Sequence, residues 1–365
     1  MSIQEIISFL ENIAPASLQE SYDNAGLITG NAYWDCKGIL TSLDVTEAVV
    51  LEAIEQNCNL IVAHHPIIFK GLKKLTGGSY VEKTIITAIK NDIAIYAIHT
   101  NLDNVIDGVN GKMADKLGLI NRQILSPKKG MIKKLVTYVP HAFAENVRNA
   151  LFAAGAGGIG NYSECNFTIE GEGSFKPNDK ANPFIGKAGE RHIDKELRLE
   201  TIYSAWIEKD LVKALKAAHP FEEVAYDISS VDNDHQEIGA GLVGELPQTM
   251  TSLEFLEHLK SNFKLKLIRH TPLLDKPINK IALCGGAGSF LIPAAIQSGA
   301  QFYVTGDIKY HEFFDADAKL VIADIGHFES EQFTVDLLFD VLRQKFLNFA
   351  VLKTGVLTNP VNYFV

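Results

Sequence analysis

Groups of imidazole and carboxylate side chains follow three apolar runs of the sequence, at 60–63, 93–98 and 320–323. The residues of these groups are His64, His65, His99, Asp103, His327 and Glu331. Imidazole nitrogens and carboxylate oxygens bind Zn, Fe, Mn, Co or Ni. His64 and His65 are difficult to explain as strand packing, because neighbouring side chains on a strand point to opposite faces. At a strand end before Pro66 both can converge, so the pattern predicts a metal site.

The number of candidate ligands predicts two metal ions rather than one. Three nitrogens and two carboxylates come from His64, His65, Asp103, His327 and Glu331. A tetrahedral catalytic site needs only three protein ligands and a water. Two metals bridged by a carboxylate, about 3.5–4 Å apart, stabilise a hydroxide nucleophile and a leaving oxygen. We therefore predict two divalent ions per chain, with Zn, Fe and Mn all compatible with the ligands.

Each candidate ligand also has a structural interpretation. A histidine after a strand is commonly a hydrogen-bonded structural residue. Asp103 is placed to cap a helix beginning near Val105, and Glu331 to favour the positive end of a helix dipole. The agreement of three strand ends favours the metal site.

Two further histidines, His99 and His311, are candidates for proton transfer in catalysis. His311 and Lys309 lie in the stretch 305–312, which is equally compatible with phosphate binding and with the start of a helix. The other histidines are expected at the surface: His141, His192, His219, His235, His258 and His270.

A glycine-rich stretch at 285–289 follows a predicted strand and opens a predicted helix. Backbone amides in such a position are able to cradle an anion. Leu291 stands where the dinucleotide-binding fingerprint requires its third glycine. We therefore favour a tight turn as the explanation for these glycines, with a phosphate site as the alternative.

Alternating strands and helices position these residues. Strands are predicted at 38–44, 59–63, 93–98, 278–284, 301–305 and 320–323, and helices at 46–56, 84–91, 105–117, 289–297, 308–315 and 329–347. Ser2 and Glu5 form a capping box before a first helix. Strands that alternate with helices predict an α/β fold with a largely parallel sheet. The carboxyl ends of its strands, including the end that carries Asp44, would meet at one edge.

Residues 128–234 follow a different order and predict a second domain. Their pattern is strand, helix, two strands, helix and strand, which is the ferredoxin-like α+β order. The polar stretch 174–191 is predicted to be a mobile loop. The domain organisation is therefore a discontinuous α/β core at 1–127 and 235–365 with an insert at 128–234.

The composition restricts the function classes. The 365 residues include 34 Lys and Arg against 44 Asp and Glu, a net charge of −10. This balance argues against a surface that follows nucleic acid throughout, while a local basic patch stays open. No apolar run reaches the ~18 residues of a membrane span, and the first residues lack the features of a signal peptide. The 4 cysteines have no C-x-x-C spacing. We expect a cytoplasmic protein with reduced thiols.

Five segments together resemble a known family. They are 21–27 (SYDNAGL), 63–69 (AHHPIIF), 99–103 (HTNLD), 305–312 (TGDIKYHE) and 326–331 (GHFESE). The chain resembles the Nif-three-like dinuclear-metal proteins, often labelled GTP cyclohydrolase I type 2 homologues, over about 1–126 and 235–365. Residues 219–224 (HPFEEV) give the insert its best local match to the PII/CutA-like domain of a subset of that family.

The resemblance implies a three-layer core, two metals on His64, His65, Asp103, His327 and Glu331, and a toroidal homohexamer. Our first hypothesis for the activity is a metal-dependent hydrolase in which a bridging hydroxide attacks a ring carbon or phosphorus of a nucleotide or another small phosphate-containing substrate. The alternative is a non-enzymatic, metal-binding regulatory ring whose insert senses a ligand.

Overall fold

The computed structural model describes residues 1–364, and the chain divides into two compact units. The first unit consists of Met1–Pro127 and the chain from Glu237 onwards, and the second is Lys128–Gln236. The helices are α1 (Ile3–Ile13), α2 (Glu47–Glu55), α3 (Tyr80–Lys90), α4 (Thr100–Asp103), α5 (Val109–Leu117), α6 (Ala144–Ala153), α7 (Glu208–Ala218), α8 (Ser252–Phe263), α9 (Ile292–Gln297), α10 (His327–Glu331) and α11 (Thr334–Lys345). The strands are β1 (Gly26–Thr29), β2 (Ile39–Ser42), β3 (Leu60–Ala63), β4 (Ala94–Ala97), β5 (Ile120–Pro127), β6 (Ile132–Pro140), β7 (Phe167–Phe175), β8 (His192–Ser204), β9 (Tyr226–Ser230), β10 (Gly239–Met250), β11 (Arg269–His270), β12 (Ile278–Ala287), β13 (Phe302–Gly306), β14 (Val321–Asp324) and β15 (Val351–Lys353).

Helix starts follow local capping chemistry. Ser2 and Glu5 form the predicted capping box of α1, whose apolar face at Ile3, Ile6 and Leu10 is buried. The Thr46 side chain accepts a hydrogen bond from the Val49 amide at the start of α2. Each such cap stabilises a helix by about 1 kcal/mol, because it satisfies an amide that the helix leaves unpaired. These predictions from the sequence are confirmed.

Two sheets organise the first unit and make it a mixed α/β structure. The first sheet has the order β1-β4-β3-β2-β15, and all of its pairs are parallel except β1 with β4. The second sheet has the order β11-β14-β13-β12-β10-β5, with a parallel centre of β12, β13 and β14 and antiparallel flanks. The prediction of a largely parallel sheet holds for the first sheet and for the centre of the second.

The central strands are buried along their length. Every residue of β2, β3, β4 and β14 is buried. Parallel strands covered on both faces read as continuous apolar runs, which is why these strands were recognisable in the sequence. Full burial of an aliphatic side chain contributes about 1.5–3 kcal/mol, so this core fixes where the strand ends lie. No helix of the described residues is long and apolar enough to span a bilayer.

The expected helix at 105–117 begins only at Val109, because α4 and a turn precede it. Gly108 stands at the capping position of α5, so the interpretation of Asp103 as its cap is wrong. The expected helix at 329–347 is likewise divided into α10 and α11. Phe333, between them, packs its ring 5.3 Å from that of Phe263. The division directs Phe333 into the core while α10 stays beside the end of β14.

The sequence patterns predict neither the antiparallel strands β5 and β10 nor the helix α8. A capping box of Thr251 and Glu254 marks the start of α8 and was available as a signal. The strand β10 carries glycines at 239, 241 and 244, which obscure a strand pattern.

The second unit is a four-stranded antiparallel sheet with two helices. Its elements follow in the order β6-α6-β7-β8-α7-β9, and its sheet has the order β7-β8-β6-β9. This is the ferredoxin-like arrangement. Leu135 and Leu199 of the sheet share one apolar core with Val147 of α6 and Leu211 of α7.

His219 belongs to the interior of the second unit, so its interpretation as a surface residue is wrong. Only 7% of its surface is exposed. Its Nε2 donates to the Tyr138 carbonyl over 2.9 Å, and its Nδ1 accepts from the Phe221 amide over 3.1 Å. Burial lowers the pKa of His219, partly offset by the Tyr138 carbonyl. The folded protein therefore keeps this ring neutral.

We predict that His219 makes the second unit less stable in acid. Because its pKa is lower in the folded than in the unfolded chain, its contribution is complete above about pH 6.5 and is lost as the pH falls towards the folded-state pKa. Urea unfolding, followed by Trp206 fluorescence in a Trp34→Phe background, should lose stability between pH 7.5 and 5. Part of that loss should vanish in His219→Gln, and equal pH dependence in both proteins would contradict the role of His219.

Candidate metal centre

The carboxyl ends of both sheets supply the candidate ligands. In the first sheet, β2 is followed by Asp44, β3 by His64 and His65, and β4 by His99. In the second sheet, Asp307 follows β13, and β14 leads into α10, which begins with His327. His65 Nε2 and His327 Nε2 lie 3.3 Å apart, so the two sets of strand ends meet at one place.

Glu331 lies between two imidazoles on one side, and one imidazole with a carboxylate on the other. Its Oε2 is 3.0 Å from His65 Nε2 and 3.2 Å from His327 Nε2. Its Oε1 is 3.8 Å from His64 Nε2, which in turn lies 3.6 Å from Asp103 Oδ1. The two oxygens of one carboxylate therefore face two neighbouring ligand sets.

Several of these atoms are buried without a hydrogen bond. Among the described residues, His64 Nε2, Asp103 Oδ1 and Glu331 Oε2 have no hydrogen-bond partner. His64 is fully buried and Glu331 is only 3% exposed. An unsatisfied buried polar atom costs about 1–3 kcal/mol, so three together indicate a missing partner. The spacing also suits a metal site. One ligand atom from each of His64, Asp103 and Glu331 lies within 4.8 Å of the others, and the same holds for His65, His327 and Glu331.

The second ring nitrogen of each imidazole has a fixed acceptor. The Nδ1 atoms of His65, His327 and His99 contact the carboxylates of Asp44, Asp307 and Asp23 respectively, each over 2.8 Å. His64 Nδ1 lies 2.9 Å from the Ile98 carbonyl. Such acceptors fix the tautomer and direct Nε2 inward, which is the usual arrangement behind metal-binding histidines.

The buried carboxylates of the cluster raise the pKa values of the groups around them. Burial alone would lower the pKa of His65, but the carboxylates of Asp44 and Glu331 raise it to about 10. Burial would also lower the pKa of His327, but the carboxylates of Glu331 and Asp307 outweigh burial and raise it to about 9. Burial and repulsion from Glu331 raise the pKa of Asp103 to about 7. The cluster therefore binds protons strongly where a cation is absent.

His99 joins this cluster and His311 does not. One ring nitrogen of His99 lies within 4.8 Å of those of His64 and His65. His311 is exposed on a 3₁₀ helix at Tyr310–Ala316, with its ring beside Tyr310 and Phe314, and it does not line the cavity at the cluster.

The glycine-rich stretch at 285–289 packs closely against the Glu331 side chain. The Gly285 amide donates to Asn110 Oδ1 and the Gly286 amide to Ser330 Oγ, each over 2.9 Å, so neither is available to an anion. Gly286 has a φ of +64°, and a Cβ there would lie 2.4 Å from Glu331 Oε1. The close packing of Glu331 and the positive φ therefore favour glycine at this position.

A cavity of about 920 Å³ opens onto the cluster. The carboxylates that line it are Glu20, Asp44, Asp103, Asp307, Asp324, Glu329 and Glu331, whereas Arg269 is the one lysine or arginine among its lining residues. Aromatic side chains, including Tyr22, Phe69 and Phe290, form other parts of the wall. A lining this acidic favours bound cations.

An α/β fold with imidazoles and carboxylates at facing strand ends defines a class of candidate metal proteins, and sequence comparison narrows it. The family Duf34/NIF3 (NGG1p interacting factor 3) matches residues 1–360. A Halalkalibacterium halodurans protein named GTP cyclohydrolase 1 type 2 homolog is 40% identical over 99% of this chain and 98% of its own length. A Bacillus subtilis protein of the same name is 42% identical over 89% and 88%. The crystal structure of a Bacillus cereus protein related to NIF3 has a TM-score of 0.87 at 40% identity, over 100% of this chain and 99% of that one. The chain belongs to the Duf34/NIF3 family, which confirms the resemblance found in its motifs.

We predict that Gly286→Ala displaces Glu331 and weakens divalent-ion binding. Gly118→Ala is a matched control, since Gly118 has a φ of +67° with no atom within 4 Å of an added Cβ. Both substitutions should cost about 1–2 kcal/mol in unfolding free energy from the left-handed backbone. Only Gly286→Ala should also reduce zinc affinity in isothermal titration, and equal affinities would show that Glu331 tolerates the added carbon.

Proposed function

We propose that this chain binds two divalent ions through His64, His65, Asp103, His327 and Glu331 and is a metal-dependent hydrolase. The observation that carries the proposal is the buried Glu331 carboxylate, whose oxygens face two sets of imidazole and carboxylate ligands. The zinc, iron or manganese identity of the ions is left open by the donor atoms.

The residues fit such ions on independent grounds. Cations would satisfy the three buried atoms without hydrogen bonds, and they would replace the protons that the cluster otherwise attracts. Glu331 keeps its negative charge, because the imidazoles around it outweigh burial and hold its pKa well below the usual value. Imidazole and carboxylate donors bind such ions as neutral nitrogens and ionised oxygens.

When bound, divalent ions supply an acidified water and polarise the bond to be broken. The protein positions its ligands through Asp44, Asp307 and the Ile98 carbonyl, which hold the far side of three imidazoles. Preorganisation of this kind avoids reorganisation at the moment of reaction.

His99 is the proposed proton carrier of the reaction. Burial alone would raise the pKa of Asp23. The hydrogen bonds from His99 and Thr100 outweigh burial and lower this pKa below its ordinary value, so Asp23 stays ionised. It accepts the Nδ1 proton of His99, and the Nε2 lone pair is then available to take a proton beside the cluster.

The substrate of the proposal is a nucleotide or another small phosphoester. The cavity volume of about 920 Å³ is ample for a nucleotide. Its aromatic lining suits a heterocyclic base, and Arg269, held by Asp324 and by the Ile308 carbonyl over 2.9 Å, suits an anionic group. The names of the relatives support hydrolysis of such a substrate.

The proposal includes a homohexameric ring and a PII/CutA-like role for the second unit. The ring follows from the family resemblance. The strand order β7-β8-β6-β9 of the second unit supports the relation to such domains.

We predict about two divalent ions per wild-type chain after incubation with zinc, manganese or iron, measured by mass spectrometry of the gel-filtered protein. His64→Ala removes the fully buried nitrogen that faces both Asp103 and Glu331, so metal content should fall by at least one ion. His270→Ala, at an exposed histidine, is the control. A wild-type chain that refuses all three ions would refute the proposal.

We predict that His99→Gln lowers turnover of a nucleotide or phosphoester substrate by about 10²–10⁴-fold, which is the usual contribution of general acid–base catalysis. His311→Gln tests the other candidate and should retain activity. Metal content should be unchanged in both. Metal-loaded protein that turns over none of a broad panel of nucleotides and phosphoesters would favour the non-enzymatic regulatory ring.

A further inference from the structure

The segment after β15 is anchored to the first sheet and leads towards the metal centre. The Thr354 amide donates to the Thr41 carbonyl over 2.9 Å, and the Gly355 amide donates to Glu52 Oε1 over 2.7 Å. The Thr354 hydroxyl bonds the other oxygen of Glu52. These contacts fix the chain at the end of β2, four residues before Thr358.

Thr358 reaches the carboxylate that holds His65. Its hydroxyl donates to Asp44 Oδ2 over 2.7 Å, while Asp44 Oδ1 accepts from His65 Nδ1 over 2.8 Å. A carboxylate bonded through one oxygen can still rotate about its Cβ–Cγ bond. Asp44 is bonded through both oxygens, and its orientation towards the imidazole is therefore fixed.

The same segment then passes to the other sheet. Asn359 Nδ2 donates to Glu329 Oε1 over 3.2 Å, and Glu329 lies on α10 between His327 and Glu331. Asn359, Pro360, Val361 and Tyr363 line the cavity. The segment thus contacts residues that follow both sheets, next to the residues proposed to bind metal.

We propose that Thr358 is a positioning residue of the metal centre, acting through Asp44 on His65. This inference rests on the proposed function, because it assigns His65 as a metal ligand. Threonine at this point supplies a hydroxyl donor to Asp44, which serine would also supply and valine would not.

The test compares Thr358→Val, which removes the hydroxyl at nearly constant shape, with Thr358→Ser, which retains it. Thr87→Val is the matched control, since Thr87 also donates to a carboxylate, Glu47 Oε1 over 3.0 Å, away from the cavity. Cobalt is the probe, because its visible absorption reports on ligand geometry. Loss of an outer partner of a metal-bound imidazole weakens binding by about 10–100-fold, and one further step away we expect about 10-fold.

In Thr358→Val, one cobalt ion should bind about 10-fold more weakly with an altered absorption band, while Thr358→Ser and Thr87→Val match wild type. Equal affinities and spectra in all four proteins would overturn the role of Thr358. Weakening in Thr358→Val and Thr358→Ser alike would also overturn it, because the hydroxyl would then not be the cause. If wild-type protein binds neither cobalt nor any of zinc, manganese and iron, the proposed function itself fails, which is a separate result.

Discussion

The structure of the centre depends on one buried carboxylate whose negative charge must be balanced by the groups around it or by a bound cation. Glu331 is enclosed by the imidazoles of His64, His65 and His327, and its Oε2 has no hydrogen-bond partner among the described residues. Removing a carboxylate from water is costly unless positive charge accompanies it. The neighbouring pKa shifts have the same origin, since His65 and His327 gain protons where no metal supplies charge.

The rest of the first unit fixes the position of the Glu331 carboxylate. Parallel strands in each of two sheets end at the same place, which brings His65 within 3.3 Å of His327 from the opposite part of the chain. Gly286 leaves room for Glu331, and its amide bonds Ser330 on the same short helix. A close-packed interior transmits small shifts, so each of these neighbours affects the position of the carboxylate.

A second layer of carboxylates holds the imidazoles from the side that faces away from the centre. Asp44, Asp307 and Asp23 each hold the outer nitrogen of one imidazole. His99 has the same kind of carboxylate partner as the proposed metal ligands His65 and His327, although its role in the proposed reaction is proton transfer.

Local signals in the sequence were sufficient for much of the fold. The capping residues Ser2 and Thr46, and the continuous apolar runs of β3 and β4, predicted their elements, because capping and burial of a strand on both faces act over a few residues. The antiparallel strand β10 was missed, since its glycines interrupt a pattern that only pairing with β5 and β12 completes. His219 was misplaced for a related reason, as its acceptor Tyr138 lies on a strand 81 residues away.

The sequence by itself determined the residue types of the centre, their positions after predicted strands, and the family. Tertiary structure decided which atoms meet. It placed Glu331 between two sets of candidate metal ligands, left His311 outside the cavity, and brought Thr358 to Asp44 across 314 residues. The physical reason is range: periodicity and capping are encoded within a few neighbouring residues, whereas the approach of two sheet edges depends on how the whole core packs.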